Sequence, residues 1–345
     1  MTVLAINSAN GAGALVGLPA VVWLHDPIEA SAGEYIVRGL LEPESLAVLY
    51  GESGCGKSTL AVSLGMSVAR GDPWRDRPTK RGLVFHIGGE GVRGLRLRQR
   101  AHFTHYNIPR TAPYAVLPTA VDFSADMEGE LVATVAEAAS AIGEAPCLVI
   151  VDTLARCLRG DENSSQDMGR FIATCDRIRT DTGSCVLVLH HVGKDAGKGA
   201  RGHSSLRAAA DTELLVEGAT NPRVLHVKKQ RDLELAEPMG FRLEPVTLGE
   251  ADGEPITACV VVHDDTAAVP KAKAAGRNQS AALSALREWS RTNPAADCID
   301  SQTISGLLGN QSVGRKRRPE VLNYLVNARV LTPSIGGFSL DRGML

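Results

Sequence analysis

At 345 residues, with 44% hydrophobic and 22% charged side chains and a net charge of −2, the chain has the balance of a folded protein with ample core. Only 4% of residues are aromatic, which excludes a broad base-stacking platform or an aromatic sugar cleft. The near-neutral total hides an asymmetry: from Gly276 onward nine Lys/Arg stand against five Asp/Glu, leaving −6 for everything earlier. The seven cysteines include no Cys-x-x-Cys pair and read as reduced thiols, not as a disulfide frame or zinc site. The N-terminus lacks a basic signal-peptide region and no apolar run is long enough to span a bilayer, so the expectation is a soluble, cytoplasmic protein.

In chain order, residues 1–18 are small and glycine-rich and read as a flexible N-terminus, before a more structured lead-in with Trp23 and Tyr35-Ile36-Val37. The apolar run Leu46–Tyr50 then enters Gly51-Glu52-Ser53-Gly54-Cys55-Gly56-Lys57-Ser58-Thr59 and a helix candidate from Leu60. Strand, glycine loop, Lys-Ser and helix are the context in which this pattern binds phosphate. The glycines let consecutive amides point inward, and the helix adds its positive end. Lys57 would reach the β- and γ-phosphates of ATP, and the Ser58 hydroxyl would ligate Mg²⁺.

Gly82–Ile87 reads as a second buried strand running into Gly88-Gly89-Glu90-Gly91. A carboxylate at the end of a strand beside the P-loop strand would face the γ-phosphate, making Glu90 the general-base candidate. Arg93, Arg96, Arg98 and Arg100 follow on a helix, where Arg93, Arg96 and Arg100 share a face that reads either as solvated or as a contact with a neighbour or nucleic acid. After a helical 128–142, Cys147–Val151 ends in Asp152, the pattern of a strand whose carboxylate supports magnesium. A polar loop at 160–167 and a helix over 168–180 lead to the apolar run 184–189, which ends in His190-His191. One of the two histidines is expected to sense the γ-phosphate; strand capping is the alternative, and no third ligand is spaced for a metal.

The glycine-rich loop 193–205 carries Lys194, Lys198 and Arg201, read either as a plain surface loop or as a contact for single-stranded nucleic acid. Asp211–Glu217 and Arg223–Lys229 read as antiparallel strands, with Lys229 and Arg231 placed to complete a neighbouring subunit's site as an arginine finger would. Phe241–Leu243 and Ile256–Val262 finish the sheet.

The order P-loop, Glu90, Asp152, His190-His191, basic loop and Lys-x-Arg resembles the RecA/DnaB-like ring ATPases. More narrowly, His190-His191-x-x-Lys194 followed by Arg201-Gly202-x-Ser204-Ser205-Leu206 is similar to RepA-type hexameric replicative helicases of plasmids and phages. The resemblance covers residues 19–263. It implies a RecA-like P-loop core with a mainly parallel sheet and C-terminal antiparallel strands. It also implies a homo-oligomeric ring, a hexamer, around single-stranded DNA, and hydrolysis at subunit interfaces. His203 interrupts the usual Arg-Gly-Ser-Ser run, and Lys229 with Arg231 matches the DnaB-like arrangement better than the RepA one.

Residues 264–279 read as a linker and 280–345 as a winged-helix-like domain, with helices at 280–291, 301–308 and 315–328 and a hairpin beyond. Arg315, Lys316, Arg317 and Arg318 would open the third helix, where recognition helices meet duplex DNA; protein contact is the alternative role. The leading expectation is an ATP-dependent DNA helicase. Its rivals are a RecA/RadA-like recombination or loading ATPase that does not unwind and an ATP-switched DNA-binding regulator.

Overall fold

The computed structural model describes residues 34–89, 91–123, 127–191, 204–264, 276–311, 313–328, 330–334 and 336–341. The first elements are β1 (Leu46–Gly51), α1 (Lys57–Arg70), β2 (Leu83–Gly88), α2 (Val92–Tyr106), β3 (Tyr114–Leu117) and α3 (Glu128–Ile142). They are followed by β4 (Pro146–Asp152), α4 (Leu154–Cys157), α5 (Ser165–Thr182), β5 (Cys185–His191) and α6 (Ser205–Ala209). Next come β6 (Thr212–Glu217), β7 (Arg223–Gln230), β8 (Met239–Ala251) and β9 (Glu254–His263).

The strands form one sheet in the order β3-β2-β4-β5-β1-β6-β7-β8-β9, parallel from β3 to β6 and antiparallel beyond. Strands β1, β2, β4 and β5 are buried on both faces, which is why each reads as an unbroken apolar run instead of alternating. One face packs on α1, through Leu60, Leu64 and Val68. The other packs on α3 and α5, where Leu131, Val135, Met168, Phe171 and Ile178 meet Val149 and Val151. The Phe123 and Phe171 rings stack with centroids 5.1 Å apart in that second layer. The long hairpin β8–β9 folds back over α1 and α2: Arg100 donates to the Leu248 carbonyl at 2.6 Å, and the Tyr106 hydroxyl to that of Val261 at 2.6 Å.

This order corrects one expectation. Strand β2 does not lie beside the P-loop strand; β4 and β5 stand between them. Its neighbour is β4, in a register that sets Gly88 opposite Asp152. Adjacency in a parallel sheet depends on crossover connections, which strand patterns do not encode.

Residues 276–341 build a separate core from α7 (Arg277–Thr292), β10 (Cys298–Asp300), α8 (Ser301–Asn310), α9 (Arg318–Asn327), β11 (Leu331–Ser334) and β12 (Gly337–Leu340). Its small antiparallel sheet runs β10-β12-β11. Asp300 starts α8 by accepting from the amides of Gln302 and Thr303 at 2.9 and 2.8 Å. Helix α7 begins at Arg277, inside the expected linker, and the third helix is shorter than expected: Arg315–Arg317 form a 3-10 turn ahead of α9. Pro319, near the start of α9, suits a first helical turn, where its missing amide hydrogen is not needed.

Candidate active site

The loop after β1 opens into a cavity of about 370 Å³ lined by Ser53, Gly54, Gly56, Lys57, Ser58 and Thr59. Gly56 adopts φ +99, and a Cβ there would stand 2.9 Å from Leu243 Cδ1, so both conformation and space demand glycine. Gly51 is pinned differently: its added Cβ would meet the Val216 carbonyl at 2.6 Å and Cys55 Sγ at 2.8 Å. Glu52 is exposed at the loop's outer edge. Cys55 is fully buried, and burial pushes its thiol pKa up despite the nearby Lys57 charge, so it stays a protonated packing group.

Lys57 Nζ is folded onto its own loop, donating to the Gly51 and Glu52 carbonyls at 3.0 and 2.8 Å. The same ammonium lies 3.4 Å from His191 Nδ1. Ser58 Oγ donates to Asp152 Oδ1 at 3.1 Å, joining the start of α1 to the end of β4. These groups meet because β5 lies between β1 and β4 and all three strands end at one edge. The same parity separates the two histidines. His191 lines the cavity, whereas His190, 1% exposed, shares the parity of Val186 and Val188 and points to the opposite face.

The residues fit a magnesium-bound nucleoside triphosphate. Among the described residues no cluster of three or more His, Cys, Asp or Glu could hold a metal alone. Ser58 and Asp152 offer two oxygens that would hold the ion together with phosphate oxygens and water, the manner in which magnesium binds at such sites. Glu90, Lys194, Lys198 and Arg201 lie outside the described residues. The approach to Glu90 is nevertheless placed, since the Gly89 amide donates to the Asp152 carbonyl at 2.8 Å.

Lys229 and Arg231 are not in this cavity. Gly51 pairs with Val216 at the upper end of β6, whereas Arg231 pairs by its amide with Asp211, five residues below, so about 17 Å of strand separates them. There Lys229 Nζ donates to the Arg207 carbonyl at 2.8 Å, and Arg231 forms a 2.5 Å ion pair with Asp211. In the C-terminal module Arg318 turns inward, donating to the Val313 carbonyl at 3.1 Å and the Ser305 hydroxyl at 3.0 Å. Arg315, Lys316 and Arg317 are exposed.

Sequence reading passed over several cavity-lining residues and named Arg98 only as part of a basic helix. Gly94, Leu97 and Arg98 come from α2, and Leu243 with Thr257, Ala258 and Cys259 from the β8–β9 hairpin. The spacing of Gly94 and Arg98, one helical turn apart, could have paired those two. Nothing local announces the hairpin residues, since only its fold across α2 brings them in.

Comparison with known families gives one match: residues 16–197 fit the family model described as an AAA domain. No curated protein matches the chain significantly.

Proposed function

Because the chain belongs to the AAA domain family of P-loop ATPases, we propose that it is an ATP-driven ring motor on single-stranded DNA, a helicase of the replicative type. The observation that carries this reading is the seat of β5 between β1 and β4, which sets His191 beside Lys57 and within one strand of Asp152. In this reading the loop amides and Lys57 hold the phosphates, and Ser58 and Asp152 would hold magnesium, whose charge would offset that of the phosphates. Glu90 orients the attacking water, and His191 responds to the presence of the γ-phosphate.

The ring reading draws its support from where two cations lie. Arg231 stands about 17 Å and Lys229 about 10 Å of strand below Gly51, which supports reading them as fingers for an adjoining copy's cavity. Lys194, Lys198 and Arg201 are the proposed contacts to single-stranded DNA. The helix–strand–helix–helix–strand–strand order of residues 276–341 is that of a winged helix, and this supports duplex contact through Arg315, Lys316 and Arg317. The test is strand separation on a forked duplex, together with negative-stain imaging in the presence of an ATP analogue and single-stranded DNA. Six-fold rings and ATP-dependent unwinding are expected; turnover indifferent to single-stranded DNA would sink the motor.

The same winged-helix order favours one second reading, a DNA-binding regulator that uses ATP as an assembly switch. One hydrolysis event per binding event, in place of steady DNA-stimulated turnover, would select it.

A further inference from the structure

Strand β2 carries one polar side chain that the site so far leaves unused. His86 is fully buried among Val84, Phe85 and Ile87, and burying an imidazole is costly unless its nitrogens are engaged. Its Nδ1 lies 2.7 Å from the Tyr114 hydroxyl on β3. Its Nε2 makes no hydrogen bond among the described residues and is aimed at Asp152, 3.6 Å from Oδ2. Asp152 Oδ1 is the oxygen that Ser58 contacts, so His86 stands behind the carboxylate and Ser58 in front.

The contacts continue from β2 to α2. The Gln99 side chain on α2 hydrogen-bonds the Tyr114 phenol, which burial and the Asp152 charge keep firmly protonated. An imidazole whose Nε2 faces a carboxylate keeps its hydrogen on that nitrogen, so Nδ1 accepts the hydrogen bond of the Tyr114 phenol. The imidazole is then the tautomer with its hydrogen on Nε2, facing the carboxylate.

A glycine inside α1 supports the arrangement independently. Gly65 sits mid-helix, where glycine is less favourable than alanine. A Cβ there would stand 2.9 Å from Tyr114 Cε2 and 3.2 Å from its hydroxyl. The close approach of helix and ring thus depends on the missing side chain.

We propose that His86 is the positioning residue for the metal-side carboxylate Asp152, held in one tautomer by Tyr114 and tied through Gln99 to α2, the helix that also lines the nucleotide cavity. The inference rests on the nucleotide reading above and assigns the residue behind its metal ligand. Groups behind a ligand fix its orientation, and losing one weakens metal binding by about 10- to 100-fold.

The experiment titrates Mn²⁺, followed by electron paramagnetic resonance, into the protein–ADP complex. Binding of a fluorescent ADP analogue in EDTA is measured in parallel. His86→Phe is expected to weaken Mn²⁺ about tenfold or more while metal-free nucleotide binding changes less than about twofold. His86→Gln, which keeps an N–H at the Nε2 position, should recover most of the loss. Tyr114→Phe and Gly65→Ala, which leave His86 in place, should show a smaller loss of the same kind, and they decide the matter if His86→Phe does not fold. Mn²⁺ affinity unchanged in the folded variants overturns the proposal and leaves the nucleotide site standing. If the unsubstituted protein does not bind the ADP analogue, the nucleotide reading fails and the proposal falls with it.

Discussion

Lys57 is held in the cavity by carbonyl oxygens of its own loop, and a phosphate offers that ammonium charged acceptors in their place. Lys57→Ala is therefore expected to weaken ATP binding by about a hundredfold with the circular dichroism spectrum unchanged, a loss of roughly two charge-assisted hydrogen bonds. Glu90→Gln separates binding from chemistry: affinity for ATP should persist while turnover falls by about 10²- to 10⁴-fold, the range for losing a general base. Normal turnover in that variant would remove Glu90 from its role. That Lys57, Ser58 and Asp152 come together was legible because each sits in a short contiguous pattern. His86 was not, since a single imidazole in an apolar strand acquires a role only when β4 and β3 are set on either side of it.

Among the elements, the 3-10 turn and α9 divide a run of four cations into two roles. Replacing Arg315, Lys316 and Arg317 together with alanine should lower the slope of log affinity for duplex DNA against log salt by about 3, without lowering the unfolding midpoint. Arg318→Ala should do the reverse, costing about 1–3 kcal/mol of stability in denaturant titration because two hydrogen bonds to neighbouring groups are lost. The basic run was readable as a run; its division was not, because helical phase and the packing of α8 decide which guanidinium turns inward. The same holds for α2. Its arginines were visible, but the β8–β9 hairpin determines that Arg98 lines the cavity while Arg100 is tied to Leu248.

For the whole molecule, the seam where α1 and α2 end against β9 makes folding sensitive to acid. Burial, the neighbouring His105 and Arg70 lower the His102 pKa to about 4, against the pull of Asp72. Burial and the Arg75 guanidinium lower that of His263 to about 4, against Asp76. Both fall below the ordinary 6.5, so between pH 6.5 and 4 the unfolded chain binds more protons than the folded one. Stability is then fully present above about pH 6.5 and declines as pH falls towards 4, by up to about 3 kcal/mol for each histidine. Thermal melts across that interval should show a falling Tm, and His102→Asn should flatten the fall; a flat profile in the unsubstituted protein would refute the account. Since residues 276–341 carry their own core, removing 276–345 should leave basal hydrolysis intact and weaken duplex binding.

Sequence alone determined the strand, glycine loop and helix around Lys57, the apolar strand that ends in Asp152 and the α/β class. These are written in local spacing: glycines before Lys57, an apolar run before Asp152, helical and strand periods in between. Tertiary structure alone decided that β5 separates β1 from β4, that His191 and not His190 enters the cavity, and that Lys229 and Arg231 do not line it. Each of those outcomes depends on which strands pair and in what register. Crossover connections and packing between residues far apart in the chain set that pairing, and no local pattern carries it.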